Sequence, residues 1–187
     1  ICTGTSGTSA VAGGGGRGMR VVHRQEDLAE AFERSQSEAR TAFGRSDVFI
    51  EQYLPHARQI VVQVLGDGTG AVIALGERDC SVQRQHQKIV EIAPAPNLHP
   101  AVQSRLHKAA CDLAEAAKYR GVGTFEFLVD GDDRGADTTI AFLECNARLQ
   151  VEHTVTEAVT DLDLVQLQLQ VATGKTLSAV LLSLIHI

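Results

Sequence analysis

Aromatic residues are scarce in this 187-residue chain, which has no tryptophan, two tyrosines and six phenylalanines. Proteins that bind single-stranded nucleic acid stack bases on aromatic rings and neutralise phosphates with Lys and Arg. An aromatic content of 4% and a formal net charge of −6 therefore argue against nucleic acid as the main partner. No apolar run is long enough to span a bilayer, and the first residues show no signal-peptide pattern. These absences favour a globular protein without a membrane span.

Cysteine is also sparse, and its spacing is uninformative about metals or redox chemistry. Cys2, Cys80, Cys111 and Cys145 are widely scattered, with neither metal-ligand nor redox spacing. Such cysteines are typical of reduced thiols in the cytoplasm or in an organelle matrix. The hydrophobic content of 44% and charged content of 21% are ordinary for a globular protein.

Both ends of the chain differ in composition from the rest. Residues 1–9 read Ile-Cys-Thr-Gly-Thr-Ser-Gly-Thr-Ser, without an apolar period, so we expect an artefactual or truncated start rather than a folded element. Residues 182–187 resemble the translation of a transposon-end sequencing adaptor, although an ordinary apolar helix tail has the same character. We therefore expect a fragment of a longer protein, with its folded part before residue 182.

Helix and strand patterns mix along the chain without a strict βαβ rhythm. Helical periodicity predicts helices at 25–43, 100–118 and 162–173, and in the second of these the buried stripe is Leu106, Ala110, Leu113 and Ala117. Strand patterns occur at 20–23, 48–50, 60–65, 71–76, 123–129 and 138–143. This order favours an α+β fold around a largely antiparallel sheet.

Polar and apolar residues alternate strictly over residues 144–152. The polar positions are Glu144, Asn146, Arg148, Gln150 and Glu152. In an extended strand these five side chains share one face. A solvated strand face is one interpretation of such alternation. The mixture of carboxylates, amides and a guanidinium instead favours binding of a charged ligand.

A further carboxylate, Glu126, is expected beside this face. A loop at 130–137 separates the strand patterns at 123–129 and 138–143, which suggests an antiparallel pair. If Val129 pairs near residues 138–140, then Glu126 lies opposite residues 142–144. Two close carboxylates repel each other, and a divalent cation with oxygen ligands offsets that repulsion. The alternative is that a register slip or a bulge sends the two carboxylates to opposite faces.

Two other segments are rich in groups that bind anions. The run Gly13-Gly14-Gly15-Gly16-Arg17 favours a flap over phosphate, because glycines let backbone N–H groups approach oxygen atoms, although flexible linkers look similar. It is not a Walker loop, since no Gly-Lys-Ser/Thr follows. The segment 77–88 follows an apolar strand directly, and in extended chain its His86 and Lys88 share a face. With Gln83 and Arg84 nearby, it favours anion binding.

Taken together, residues 13–22, 77–88 and 144–153 resemble the signatures of biotin carboxylase. This enzyme is the ATP-grasp component of biotin-dependent carboxylases that act on acetyl-CoA, propionyl-CoA, pyruvate or urea. The similarity runs from about residue 10 to residue 176, with the motifs in the family's order. It implies a partial ATP-grasp fold, with a glycine-lid subdomain at 10–50 and part of the antiparallel-sheet catalytic subdomain at 51–181.

The resemblance also implies a reaction and its participants. ATP and bicarbonate form carboxyphosphate, which then carboxylates the ureido nitrogen of biotin on a carrier protein. The implied cofactors and substrates are ATP, two Mg²⁺ or Mn²⁺ ions, bicarbonate and carrier-bound biotin. The implied partners are a biotin carboxyl carrier and a carboxyltransferase, as domains or subunits, and the intact enzyme is expected to be a homo-oligomer.

Individual roles follow only by matching positions to the family's motifs. The residues matched to ATP are Gly13, Gly14, Gly15, Gly16, Glu51, Gln52, Leu54, Gln83 and His86. Glu126, Glu144 and Asn146 match metal ligands. Lys88, Arg148, Gln150 and Val151 match the bicarbonate site, and Glu152 matches the general base, which makes Glu152, Arg148 and Lys88 the expected catalytic group.

The chain departs from the family pattern at several positions. Ser9 stands in the place of an ATP-binding lysine, Gln52 where lysine is common, Gln59 where histidine is expected and Gln85 where arginine is expected. By the same resemblance, we expect one lobe of the enzyme and the later part of the other to lie outside this sequence. We therefore expect an ATP-dependent ligase in the intact parent but inactivity of this fragment alone. Two alternatives stay open, namely a carbamoyl-phosphate synthase-like ligase and a non-catalytic nucleotide-binding module.

Overall fold

The computed structural model describes residues 6–10, 19–84, 87–132 and 135–184. The strands in these ranges are β1 (Ser6–Ala10), β2 (Arg20–Val22), β3 (Val48–Gln52), β4 (Ala57–Asp67), β5 (Val72–Asp79), β6 (Gln83–Arg84), β7 (Gln87–Lys88), β8 (Arg120–Asp130) and β9 (Ile140–Asn146). The helices are α1 (Leu28–Phe43), α2 (Pro100–Ala116), α3 (His153–Thr160), α4 (Leu164–Ala172) and α5 (Leu177–Leu184), and a short 3-10 helix, Gln25–Asp27, precedes α1.

The chain divides into two compact units. The first contains Ile1–Pro55 and Gln83–Gln87, and the second contains His56–Val82 and Lys88–Ile187. Strand β3 continues to Gln52 in the first unit, because its pairing with β1 continues to that residue. The subdomain boundary expected at residue 50 stays a prediction.

The first unit contains an antiparallel sheet with the order β2-β1-β3, against which α1 packs. Its central strand is β1, so the expectation that residues 1–9 hold no folded element is wrong for Ser6–Ser9. The buried Thr8 Oγ1 lies 2.7 Å from Ser35 Oγ of α1. A run of Ser, Thr and Gly has no apolar period to reveal it, and the strand is defined by neighbours on both edges.

The second unit contains an antiparallel sheet with the order β5-β4-β8-β9. Strands β4 and β8 pair along their whole length, from Ala57 opposite Asp130 to Asp67 opposite Arg120. The strands predicted at 60–65 and 71–76 are confirmed as parts of β4 and β5. This sheet confirms the predicted antiparallel α+β architecture.

Helix α2 covers one face of this sheet and forms the larger core. The buried residues of this cluster are Ile60, Val62, Val64, Ala95, Val102, Leu106, Ala110, Ala114, Phe125, Phe127 and Val129. The predicted helix stripe is wrong in its second half, because Leu113 is 41% exposed and Ala117 is exposed. The buried line steps by four residues along the helix, which is a ridge that packs well into a neighbouring surface.

The opposite face is covered at one end by α4 and α5. Their cluster contains Leu65, Leu75, Val122, Leu164, Leu167, Val171, Leu177 and Val180. The helix predicted at 162–173 is confirmed as α4, whereas α3 and α5 were not predicted. Helix α3 is rich in Thr and Val, which have modest helix propensity. Helix α5 continues to Leu184, into the segment that the sequence analysis set apart from the fold.

None of the helices within the described ranges combines the length and the apolar character that crossing a membrane requires.

A buried carboxylate, Glu77 of β5, joins the sheet to α2. Gln103 Nε2 donates to Glu77 Oε1 at 2.9 Å, and His107 Nε2 lies 2.6 Å from Glu77 Oε2. Burial alone raises the pKa of Glu77, but the hydrogen bond and charge of His107, with the Gln103 bond, outweigh it and leave the pKa lowered.

Leu106→Ala and Leu113→Ala test the position of the buried helix line. Leu106 is completely buried, so its truncation leaves a cavity, and we expect it to lower the free energy of unfolding by about 2–5 kcal/mol. Leu113→Ala, the same change on the exposed side of α2, should cost less than about 1 kcal/mol. Denaturant unfolding of both variants measures the difference. An equal loss of unfolding free energy in the two variants would contradict the observed orientation of α2, in which Leu106 faces the core and Leu113 does not.

Glu77→Gln should destabilise the protein in a pH-dependent manner. A lowered pKa means that Glu77 contributes stability that is complete above its ordinary pKa of about 4.3 and is lost as the pH falls through the lowered value. The thermal midpoint of Glu77→Gln should therefore lie below that of the wild type at pH 7, and the gap should close below about pH 4. Glu115→Gln, on the exposed side of α2, is the control. A gap that does not change with pH would refute this linkage.

Candidate functional site

The register of β8 and β9 sets the centre of the site. Glu126 is the direct cross-strand partner of Glu144, and a bulge lies between Glu126 and Phe127. Directly paired residues of an antiparallel sheet project to the same face, so the two carboxylates are neighbours. The predicted pairing of Glu126 with 142–144 is confirmed. Val129 pairs with Ile140, as expected from the loop length.

Glu126 is a buried carboxylate, with only 2% of its surface exposed. Lys88 Nζ donates to its Oε1 at 2.8 Å, and Asn146 Nδ2 donates to the same atom at 2.9 Å. Gln59 Nε2 donates to Oε2, and Gln150 Nε2 lies 3.4 Å from Oε1. A buried charge is stable only when such donors replace water. Glu126 therefore gathers groups from four segments of the second unit.

Lys88 and Glu126 form an ion pair. Burial disfavours the charged ammonium, but the hydrogen bond to Glu126 and the negative charges of Glu126 and Glu91 oppose this effect, and the pKa of Lys88 is raised. The resemblance matches Lys88 to bicarbonate binding. The structure brings its Nζ to the carboxylate that matches a metal ligand, so both expected functions fall at one place.

Asn146 links the two carboxylates. Its Nδ2 donates to Glu126 Oε1 at 2.9 Å and to Glu144 Oε1 at 3.0 Å. Two carboxylates and an amide oxygen are the hard oxygen ligands that Mg²⁺ takes, and the remaining coordination positions suit water or phosphate oxygens. The described part of the chain holds no group of three or more His, Cys, Asp and Glu side chains placed for a metal. The oxygen atoms of Glu126, Glu144 and Asn146 are ligands of the type that a hard divalent cation takes.

The extended strand predicted through Glu152 is wrong beyond Asn146. Strand β9 ends at Asn146, where Arg148 N donates to Asn146 O at 2.8 Å and the chain bends. Asn146 pairs with Thr124, and from there the chain leaves the edge of β8, although β8 itself continues to Arg120. Consequently Gln150 turns inward and is buried, whereas Val151 is 87% exposed.

The bend between β9 and α3 presents the remaining predicted residues. Gln150 Oε1 accepts from Thr124 Oγ1 at 2.9 Å, which ties the bend to β8. Glu152 is half-buried and precedes the first residue of α3. Arg148 is exposed, and its Nη1 donates to Leu149 O at 3.3 Å. Gln150 therefore joins Lys88, Glu126, Glu144 and Asn146 in one cluster, while the described hydrogen bond of the Arg148 side chain goes to Leu149 O and not to this cluster.

The residues matched to the nucleotide belong mainly to the first unit. Glu51 and Gln52 end β3, Leu54 follows them and Gln83 begins β6. Glu51, Leu54 and Gln83 are half-buried. Gly13, Gly14, Gly15, Gly16 and His86 lie outside the described residues. The nucleotide roles of all these residues remain predictions.

The sequence analysis did not identify Arg78 or its partners. Arg78 of β5 is completely buried and lies on the same cross-strand row as Val61 and Glu126. Its neighbours in the sequence, Glu77 and Asp79, make a charged triplet at the end of an apolar strand. That charged triplet could have indicated Arg78, because a charged residue that continues a buried strand needs specific partners.

A sheet that carries paired carboxylates and an asparagine on one face, together with a separate small antiparallel sheet, is the arrangement of an ATP-grasp domain. Residues 8–180 match the family model described as "Carbamoyl-phosphate synthase L chain, ATP binding domain". The chain belongs to this family.

Comparison with individual proteins confirms the resemblance to biotin carboxylase. Pyruvate carboxylase of Aspergillus terreus is 53% identical over 168 residues, which are 90% of this chain and 14% of that protein. Human mitochondrial pyruvate carboxylase is 51% identical over 168 residues, again 90% and 14% of the two chains. The chain thus spans about a seventh of the length of these relatives.

Solved structures of biotin carboxylases also resemble this chain. The Campylobacter jejuni biotin carboxylase–βγ-ATP complex superposes with a TM-score of 0.85 at 47% identity, covering 92% of this chain and 38% of that chain. The biotin carboxylase domain of Hydrogenobacter thermophilus 2-oxoglutarate carboxylase gives a TM-score of 0.83 at 42% identity, covering 92% and 37%. The fold is therefore a partial ATP-grasp fold of the biotin carboxylase type.

Proposed function

We propose that this chain is part of the biotin carboxylase component of a biotin-dependent carboxylase. The observation that carries the proposal is the cluster in which Lys88, Asn146 and Gln150 surround Glu126 beside Glu144. Such a cluster combines ligands for a cation with donors for an anion at one place. That combination suits a reaction between a nucleotide phosphate and bicarbonate.

The cation part of the cluster serves the nucleotide. Glu126, Glu144 and Asn146 would hold Mg²⁺ or Mn²⁺, which when bound neutralises the triphosphate charge. The Hydrogenobacter structure is a complex with MgADP and bicarbonate, which supports these two ligands. The two-ion stoichiometry and the use of Mn²⁺ are part of the proposal.

The anion part of the cluster serves bicarbonate. Lys88, Arg148, Gln150 and the backbone at Val151 orient the anion, and Glu152 accepts its hydroxyl proton. The bicarbonate oxygen then attacks the γ-phosphorus of ATP, the bond from that phosphorus to the ADP oxygen breaks, and carboxyphosphate forms. The carboxyl group is finally transferred to the ureido nitrogen of biotin, which loses a proton, and phosphate leaves.

The nucleotide itself is assigned to the residues matched by resemblance. Glu51, Gln52, Leu54 and Gln83 would contact the base and its surroundings, with His86 nearby. The glycines 13–16 would cover the phosphates through backbone N–H groups. Ser9 and Gln52, where lysines are expected, predict weaker nucleotide contacts than in typical relatives.

The intact protein would act with partners. These are a biotin carboxyl carrier, a carboxyltransferase that recognises the final acceptor, and a second copy of the protein, since the Hydrogenobacter domain is described as a dimer. We place the reaction in the cytoplasm, with an organelle matrix as the alternative, since the human relative is a mitochondrial protein. This chain alone spans 38% of a biotin carboxylase chain, so we expect no biotin carboxylation from it in isolation.

Bicarbonate-dependent ATP cleavage by the full-length protein containing this chain tests the proposal. We expect phosphate release that needs bicarbonate and Mg²⁺ and that free biotin stimulates. Cleavage that yields carbamoyl phosphate when ammonia is present, without a biotin effect, would instead indicate a carbamoyl-phosphate synthase-like ligase. Nucleotide binding without any cleavage would indicate a non-catalytic module.

Glu144→Gln should weaken the metal site of the full-length protein. The change removes one ligand charge and keeps the shape of the side chain, so turnover should fall by more than about tenfold and the Mg²⁺ requirement should rise. Steady-state rates across a Mg²⁺ titration measure both effects. Glu33→Gln, on the exposed side of α1, is the matched control. Wild-type turnover with an unchanged Mg²⁺ dependence would remove the metal assignment.

Glu152→Gln should separate binding from chemistry. The amide cannot accept the bicarbonate proton, so most bicarbonate-dependent ATP cleavage should be lost while nucleotide affinity stays close to that of the wild type. Calorimetric titration with MgADP, run beside the rate assay, measures the two properties separately. A parallel loss of nucleotide affinity would show that Glu152 is a structural carboxylate.

A further inference from the structure

Arg78 connects three separate segments of the second unit from within the sheet. Its Nε donates to Glu91 Oε1 at 2.8 Å, and its Nη1 donates to Gln63 Oε1 at 3.0 Å and to Thr156 Oγ1 at 2.6 Å. Arg78, Gln63 and Thr156 are each at most 2% exposed. Arginine suits this position, since its planar guanidinium offers five donors in fixed directions and keeps its charge.

The network continues to the sheet strand that carries Glu126. Gln63 Nε2 donates to Gly123 O at 2.8 Å, and Gln63 pairs with Thr124 across the strands. Thr124 in turn holds Gln150, which contacts Glu126. Arg78 is therefore linked to the strand of Glu126 on one side and to helix α3 on the other.

Helix α3 is joined to the bend that presents Glu152. His153 N donates to Gln150 O at 3.2 Å, and Val155 N donates to Glu152 O at 3.1 Å. Besides the contact of Gln150 with Glu126, two side-chain hydrogen bonds of this network attach the bend to the sheet. One is the Thr124–Gln150 hydrogen bond at its start, and the other is the Arg78–Thr156 hydrogen bond in the first turn after it.

We propose that Arg78 is a positioning residue which, through Thr156, holds the first turn of α3 and thereby aligns the Gln150–Glu152 bend with Glu126. The inference rests on the proposed function, because alignment matters only if this bend binds the anion. Misplacement of a reacting group by about 1 Å can cost about 100-fold in rate. A fully buried hydrogen bond between helix and sheet limits such displacement.

The electrostatics of Glu91 agree with this arrangement. Burial raises the pKa of Glu91, the bond and charge of Arg78 oppose that effect, and the charge of Glu152 adds to the increase. The Arg78–Glu91 ion pair, at 2.8 Å, holds the guanidinium that donates to Thr156.

Thr156→Val in the full-length protein is the sharpest test, since it removes one acceptor and nearly keeps the side-chain volume. We expect kcat/KM for bicarbonate to fall by about tenfold or more, with the KM for ATP within about twofold of the wild type. Thr156→Ser keeps the hydroxyl and should restore most of the activity. Thr154→Val, the same change at an exposed position of α3, is the matched control.

Amide hydrogen exchange of the same variants supplies a readout without catalysis. Exchange in the segment 150–160 should be faster in Thr156→Val than in Thr154→Val and should return to the wild-type rate in Thr156→Ser. Unchanged exchange, an unchanged bicarbonate kcat/KM, or equal increases in both KM values without rescue by serine would overturn the positioning role. A full-length protein without biotin-stimulated ATP cleavage would refute the proposed function, and the exchange data would then decide the inference separately.

Discussion

A buried carboxylate, Glu126, is the constraint on which the site depends. Its charge is removed from water, so the surrounding chain must supply donors, and it does so from Lys88, Gln59, Asn146 and Gln150. These residues come from separate segments of the second unit. The requirement to satisfy one charge therefore brings the cation and anion groups of the candidate site to one place.

One face of the second unit's sheet packs in the apolar core, and the other carries the candidate site. One face packs on α2 through a large apolar cluster, which holds the strand register that pairs Glu126 with Glu144. The other face is apolar where α4 and α5 cover it, and polar along the row of Arg78 and Glu126. The apolar packing against α2 stabilises the strand register. That register keeps Glu126 and Glu144 adjacent on the other face although their charges repel each other.

The sequence predicted the parts of this arrangement that follow from strand periodicity. Side chains alternate with a period of two, so a hairpin loop of known length was enough to bring Glu126 opposite Glu144. The three motifs also indicated biotin carboxylase correctly, as the 53% identity to a pyruvate carboxylase and the 47% identity to a solved biotin carboxylase show.

The features that were missed depend on tertiary context. The alternation after Asn146 predicted a strand, but the chain leaves the edge of β8 there and bends into α3. Strand β1 has no apolar period and is defined by its two neighbours. Leu113 lies close enough to the buried line of α2 that periodicity alone could not exclude it. Arg78 needed the folded register to reveal its partners.

The most direct test of the central claim is the location of the cation in a crystal of the full-length protein with Mn²⁺ and a non-hydrolysable ATP analogue. Anomalous scattering identifies Mn²⁺ without ambiguity. Our account predicts Mn²⁺ within coordination distance of carboxylate oxygens from both Glu126 and Glu144, with the Asn146 amide oxygen turned towards it. Mn²⁺ bound to the nucleotide phosphates but to neither carboxylate would contradict the account.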